Sequence, residues 1–145
     1  MNVDLVLQEN GIYATLAGIL GGFAFATLMQ LIEMDKKGKI VTITTILFSI
    51  ATFMFLLALL AFTLTYAVVA ETNMTFYNLS TLGAYALFDV YGAIFVLLAG
   101  IGVAGWIRSK ATGITTTILA MLFSCLSGAT LFYVFRTLAS ATTMR

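Results

Sequence analysis

The residues best suited to chemistry are oxygen-bearing side chains at the end of the first long apolar segment. Gln30 and Glu33 are three positions apart, so on a helix they share one face, and Asp35 follows two residues later. If several copies place this helix around a central axis, these oxygens form rings that suit hard cations such as calcium. The pattern predicts a cation entrance or filter at Gln30, Glu33 and Asp35, with Glu33 as the candidate metal ligand.

Surface ion pairing is the alternative interpretation of the same acids. Lys36 and Lys37 follow Asp35 directly, and exposed pairs of this kind are common and weak. Residue types alone do not distinguish a solvated hairpin from a cation entrance.

Asp89 is the one acid that lies clearly inside an apolar segment. A carboxylate within a membrane is costly unless it is paired, hydrated or protonated, so such a residue is a functional candidate by default. Proton-coupled transport is one role it would suit. The alternative is a carboxylate close to the headgroups, hydrogen-bonded to Tyr85 or to a threonine of a neighbouring helix.

Several kinds of chemistry lack the residues that they need. The chain has no histidine, which removes imidazole metal sites and the usual general base, and its single cysteine excludes an internal disulfide or a cysteine metal cluster. The formal net charge of +1 offers no basic surface for nucleic acid. We expect no enzyme and no resident cofactor, with calcium considered only as a permeant ion.

Composition dictates the elements that must position these side chains. Of the 145 residues, 61% are hydrophobic and only 9% are charged, which is too apolar for an ordinary soluble domain. A membrane-spanning helix needs roughly 20 apolar residues, and backbone amides in lipid must pair within the segment. The sequence predicts an all-α integral membrane protein, a single domain over 1–145, with four transmembrane helices at about 12–32, 40–69, 82–107 and 114–138.

Small residues recur every four positions in the first span, at Ala14, Gly18 and Gly22. This spacing lets helices approach closely in lipid, so we expect a packing face there. The spacing does not say whether the partner is another helix of the same chain or another subunit.

Basic residues near the span ends predict the orientation in the membrane. Three lysines lie in the 33–39 connection, Arg108 and Lys110 lie in the third connection, and the second connection has none. This bias favours both termini outside, whereas Arg136 and Arg145 favour the opposite orientation. We expect a multi-pass protein, with the cell membrane as its location.

Short strings in each span carry a resemblance to a known family. They are Gly22-Phe23-Ala24 in the first span, Phe48-Ser49 with Thr52 in the second, Leu98-Ala99 and Trp106-Ile107-Arg108 in the third, and Thr116-Thr117-Ile118, Phe132-Tyr133 and Arg136 to Leu138 in the fourth. Read in order over about residues 12 to 140, the chain resembles the Orai family, the pore subunits of store-operated calcium release-activated channels. The resemblance implies both termini in the cytosol, opposite to the charge bias.

The resemblance also implies a pore lined by the first helix, at Thr15, Ile19, Phe23, Ala26 and Gln30. Gln30 takes the filter position, where the family has a glutamate, and Glu33 is one turn further on. Gly11 and Thr15 stand where the family has basic residues, and Gly100 stands where its third helix has an acid. Phe23 and Ile19 would form a hydrophobic constriction.

The leading hypothesis is that the chain is the pore-forming subunit of a homo-oligomeric cation channel. Its subunits oligomerise around the first helix, and calcium is a candidate permeant ion. The alternative is a non-conducting four-helix subunit that assembles a larger membrane complex through the glycine-rich face of that helix. A small proton-coupled transporter that uses Asp89 is the third possibility.

Overall fold

Four long helices account for nearly all of the chain in the computed structural model, which describes residues 3–35, 38–72 and 77–143. They are α1 (Val3–Glu33), α2 (Lys39–Thr72), α3 (Tyr77–Arg108) and α4 (Lys110–Thr143), and these described residues form no strand. Each helix is long and apolar enough to cross a membrane. The predicted all-α, four-helix, multi-pass membrane architecture is confirmed, and oligomerisation around the first helix stays a prediction.

The helices are longer than the apolar pattern predicts. α1 begins at Val3 rather than near residue 12, and α4 begins at Lys110 rather than near residue 114. The pattern follows the hydrocarbon layer, whereas intrahelical hydrogen bonds continue through the headgroups as long as the backbone remains helical. At the start of α4, the hydroxyl of Ser109 accepts a 3.1 Å hydrogen bond from the Thr112 backbone N–H and caps the helix.

The helices pack in chain order as a row rather than as a closed bundle. α2 packs against α1 and α3, and α3 packs against α4. α1 touches α3 only marginally, and within the described residues α4 contacts α3 alone. α1 and α4 therefore lie at opposite edges of the subunit, and each leaves a broad face that its own chain does not cover.

Large side chains of α2 pack against glycines of the neighbouring helices. A Cβ built on Gly21 would lie 3.0 Å from the Phe55 Cβ, and one built on Gly100 would lie 3.0 Å from Phe48 Cε2. Phe55 and Phe48 are both buried in the core. The glycines let α1 and α3 approach α2 closely enough for the rings to fill the interfaces.

The predicted packing face of α1 meets its own subunit only in part. Gly18 lies in ordinary contact with Leu59, but a Cβ on Gly22 would have nothing within 4 Å. The buried seam of α1 instead contains Ala17, Gly21, Ala24, Leu28 and Leu31. An even spacing of four drifts around a helix of 3.6 residues per turn, so a straight seam has to alternate steps of three and four.

The α3–α4 hairpin is fixed by hydrogen bonds as well as by close packing. The hydroxyls of Thr116 and Thr117 donate to the Gly102 carbonyl at 3.2 and 3.3 Å. The indole N–H of Trp106 donates to Thr117 Oγ1 at 3.1 Å, and the ring occupies the space beside Gly113. These contacts cross between the helices and tie α4 to α3 near their connection.

Candidate functional site

The candidate pore residues lie together on the uncovered face of α1. Thr15, Ile19, Phe23, Ala26 and Gln30 are all exposed, and Phe23 is 68% and Ile19 55% exposed. At 3.6 residues per turn, the centre of this stripe is roughly 160° around α1 from the seam that packs against α2. We call this stripe the α1 ladder. A neighbour outside the subunit, whether lipid, water or another chain, must cover it.

The ladder extends further than the sequence indicated. Gln8 and Ile12 continue it toward the N-terminus, and both are exposed. Gln8 was missed because the first span was expected to begin at residue 12, and Ile12 because the resemblance gave the stripe only from Thr15 onward, although steps of four and three continue from Gln8 through Ile12 to Thr15. Together with Thr15 and Ile19, they line an open groove of about 560 Å³ beside Tyr66.

The chemistry of the ladder changes along its length. Gln8 and Gln30 stand near its two ends, about 33 Å apart at 1.5 Å per residue, close to the thickness of a hydrocarbon layer. Between them the side chains are mainly apolar. The hydroxyl proton of Thr15 is donated to the Gly11 carbonyl of its own helix at 2.8 Å. The ladder is therefore polar at both membrane surfaces and hydrophobic in between.

Glu33 ends α1, and Asp35 lies in the connection that follows. Both side chains are exposed, and neither forms an ion pair within the described part of the chain. Lys36 and Lys37, the expected partners in the ion-pairing interpretation, lie outside the described residues. Gln30 and Glu33 share the exposed face of α1 as expected, so both oxygens point away from the subunit that carries them.

One subunit does not assemble a metal site by itself. Among the residues that the structure describes, no three acidic, histidine or cysteine side chains are grouped closely enough to hold an ion. Glu33 could become part of a multi-oxygen site only if further copies bring their own Glu33 and Gln30 to the same axis.

The tyrosines and the single tryptophan mark the two membrane surfaces. Tyr13, Tyr66, Tyr85 and Tyr133 lie toward one end of the row, which we call the tyrosine end, whereas Tyr91 lies near the middle of α3. Trp106 lies near the opposite end, which holds the 33–39 and 108–110 connections and which we call the hairpin end. Tyrosine and tryptophan concentrate at membrane interfaces. The hydrocarbon layer is therefore expected between these two levels.

Asp89 lies about 5 Å from the midpoint of α3, on the side of the tyrosine end. It is about 26 Å from Trp106 along α3, nearly a full hydrocarbon thickness of about 30 Å, and it lies between Tyr85 and Tyr91. The side chain is half-buried and makes no hydrogen bond to Tyr85 within the described residues. The functional interpretation of Asp89 and the interpretation as a carboxylate near the headgroups both stay predictions.

Comparisons with known protein families, with characterised proteins and with solved structures find no match to this chain.

Proposed function

We propose that this chain is the pore-forming subunit of a homo-oligomeric cation channel of the cell membrane, resembling the Orai family, with α1 lining the pore. The observation that carries the proposal is the α1 ladder. Its residues lie on a face of α1 that the rest of the subunit leaves uncovered, and from Gln8 to Gln30 they cover about 33 Å, a length close to that of the hydrocarbon layer.

The row arrangement supports a ring with α1 at its centre. Because α1 lies at one edge of the subunit and packs mainly against α2, copies of α1 can gather around an axis without displacing other helices. α2, α3 and α4 then follow outward as successive layers. α4, which contacts only α3 within the described residues, becomes the outermost helix, and its apolar surface faces lipid.

Phe23 and Ile19 supply the constriction in this arrangement. Both are large, apolar and more than half exposed, and they occupy consecutive steps of the ladder. A ring of such side chains narrows a pore and expels water from it, which blocks ions without a physical plug. Opening requires a small rotation or spreading of α1 that moves these side chains away from the axis.

Gln30 and Glu33 supply the cation selectivity. One carboxylate and one amide oxygen per subunit, repeated around the axis, give two stacked rings at the hairpin end of the pore. The negative charge of Glu33 raises the local concentration of cations, and the oxygens replace part of the hydration shell. Calcium is the candidate permeant ion because it prefers such oxygen ligands.

The assembly-subunit alternative uses the same uncovered face of α1 as a docking surface for another protein. Size measurement and ion flux of the purified chain separate the two functions. A channel forms a symmetric ring on its own and carries calcium or sodium into sealed liposomes. A chain that stays monomeric in several mild detergents and conducts neither ion contradicts the channel proposal and favours the assembly subunit.

A further inference from the structure

The hairpin end of the subunit brings three cations from different helices to one level. Phe48 packs against Gly100 and Met54 packs against Gly92, which fixes the antiparallel register of α2 and α3. Continued to the helix ends, this register places Lys39, the first residue of α2, opposite Arg108, the last residue of α3. Lys110 begins α4 only two residues later.

Lys39, Arg108 and Lys110 form no ion pair among the residues that the structure describes, and all three side chains are exposed. α2 and α4 begin at this level and α1 and α3 end there, so the backbone dipoles largely cancel and the charge of this end comes from its side chains. Glu33 and Asp35 reach the same end from the α1 edge of the row, so the positive surface, which we call the patch, is its α3–α4 side, with Lys39 beside it.

The patch lies where a lipid headgroup would reach it. Trp106 precedes Arg108 by about half a turn, and its half-exposed ring lies at the level of a membrane interface. The indole N–H is already bonded to Thr117 inside the hairpin, so the ring is held in place rather than free to turn outward.

An apolar groove lies between α3 and α4, further from the hairpin end than the three cations. It is an open groove of about 440 Å³, lined among others by Val103, Ala120, Met121 and Ser124. Its upper residues lie within about 10 Å of Arg108 along α3. A positive surface at the headgroup level above an apolar groove matches the two halves of a phospholipid.

We propose that Lys39, Arg108 and Lys110 bind the phosphate headgroup of an anionic phospholipid, and that one of its acyl chains lies in the α3–α4 groove. The charge selects anionic over zwitterionic lipids, and the groove distinguishes a lipid from free phosphate. The inference is independent of whether the chain conducts ions.

The test is native mass spectrometry of the purified protein with equal amounts of phosphatidylglycerol and phosphatidylcholine. Wild type should retain phosphatidylglycerol preferentially, and each basic residue near the surface should contribute about fivefold to that preference. The variant Lys39→Gln/Arg108→Gln/Lys110→Gln should lose it. Arg136→Gln removes a described cation at the tyrosine end and should leave the preference unchanged.

Two further measurements keep the result decisive. If the triple variant does not fold, Arg108→Gln and Lys110→Gln alone should each lower the preference about fivefold. Inorganic phosphate at millimolar concentration should not displace the bound phosphatidylglycerol. Equal lipid preference in wild type and charge variants, an equal loss in Arg136→Gln, or complete displacement by inorganic phosphate would overturn the proposal.

Discussion

Gly21 and Phe55 are so close that a Cβ on the glycine would come within 3.0 Å of the phenylalanine Cβ. This contact fixes the rotation of α1 about its own axis. Because Gly21 faces α2, the opposite side of α1, with Phe23 on it, must face away from the subunit. The contact between these two residues thus determines which side chains are available to line a pore.

Enlarging Gly21 should loosen the α1–α2 interface. In Gly21→Ala the added methyl meets the Phe55 side chain close to the backbone, and overpacking of this kind costs about 1–3 kcal/mol. Gly22→Ala is the matched control, since a Cβ there meets nothing within 4 Å. Thermal unfolding in one detergent should place Gly21→Ala clearly below Gly22→Ala. Equal unfolding temperatures would mean that α1 is not packed as described.

Removing the ring of Phe55 should cost more stability than any exposed substitution on α2. Phe55 is fully buried, whereas Phe53, two residues away, is 67% exposed. Phe55→Ala leaves a cavity and should destabilise the fold by about 3 kcal/mol. Phe53→Ala should change the free energy of unfolding little, because most of the Phe53 ring is exposed in the folded protein and its removal leaves no cavity. Chemical unfolding of both variants measures the difference, and similar losses would contradict the placement of α2.

Trp106 gives a direct optical readout of the α3–α4 hairpin, because it is the only tryptophan in the chain. Thr117→Val removes the acceptor of its indole hydrogen bond and the donor to the Gly102 carbonyl, so it should shift the fluorescence and cost about 2 kcal/mol. Thr115→Val is the control, since the Thr115 hydroxyl bonds only to the Ala111 carbonyl of its own helix. An unchanged emission spectrum in Thr117→Val would be evidence against the hydrogen bond.

The number and type of helices could be predicted from the sequence because the bilayer allows few alternatives. Long apolar runs can cross lipid only as helices, whatever the strand propensity of their Thr, Ile and Val residues. The helix ends were less predictable, because the apolar pattern does not record where hydrogen bonding stops. α1 begins at Val3 because its helical hydrogen bonds continue beyond the apolar pattern. This extension is also what places Gln8 on the ladder.

Helix contacts were harder to predict than helices. The spacing of Ala14, Gly18 and Gly22 indicated a seam, but the seam is set by where Phe55 projects from α2. No pattern within α1 contains that information.

Glu33 should control which cations pass. Glu33→Gln removes one charge per subunit from the ring at the hairpin end and should lower the calcium preference over sodium about tenfold, because a neutral ring binds a divalent ion less tightly. Asp35→Asn removes the same charge beyond the end of α1 and should change selectivity less. Reversal potentials in planar bilayers with calcium and sodium on opposite sides provide the measurement. A larger effect from Asp35→Asn would move the filter into the connection.

The most direct test of the pore is a comparison of two phenylalanines on the same helix. Phe23 and Phe25 are both exposed side chains of α1 at nearly the same depth, but only Phe23 belongs to the ladder. The measurement is calcium flux into liposomes that hold equal amounts of purified wild type, Phe23→Ala and Phe25→Ala. The account predicts that Phe23→Ala leaks at least tenfold faster than wild type, because its constriction is widened, and that Phe25→Ala matches wild type. Equal flux in Phe23→Ala and Phe25→Ala would contradict a pore lined by this face of α1.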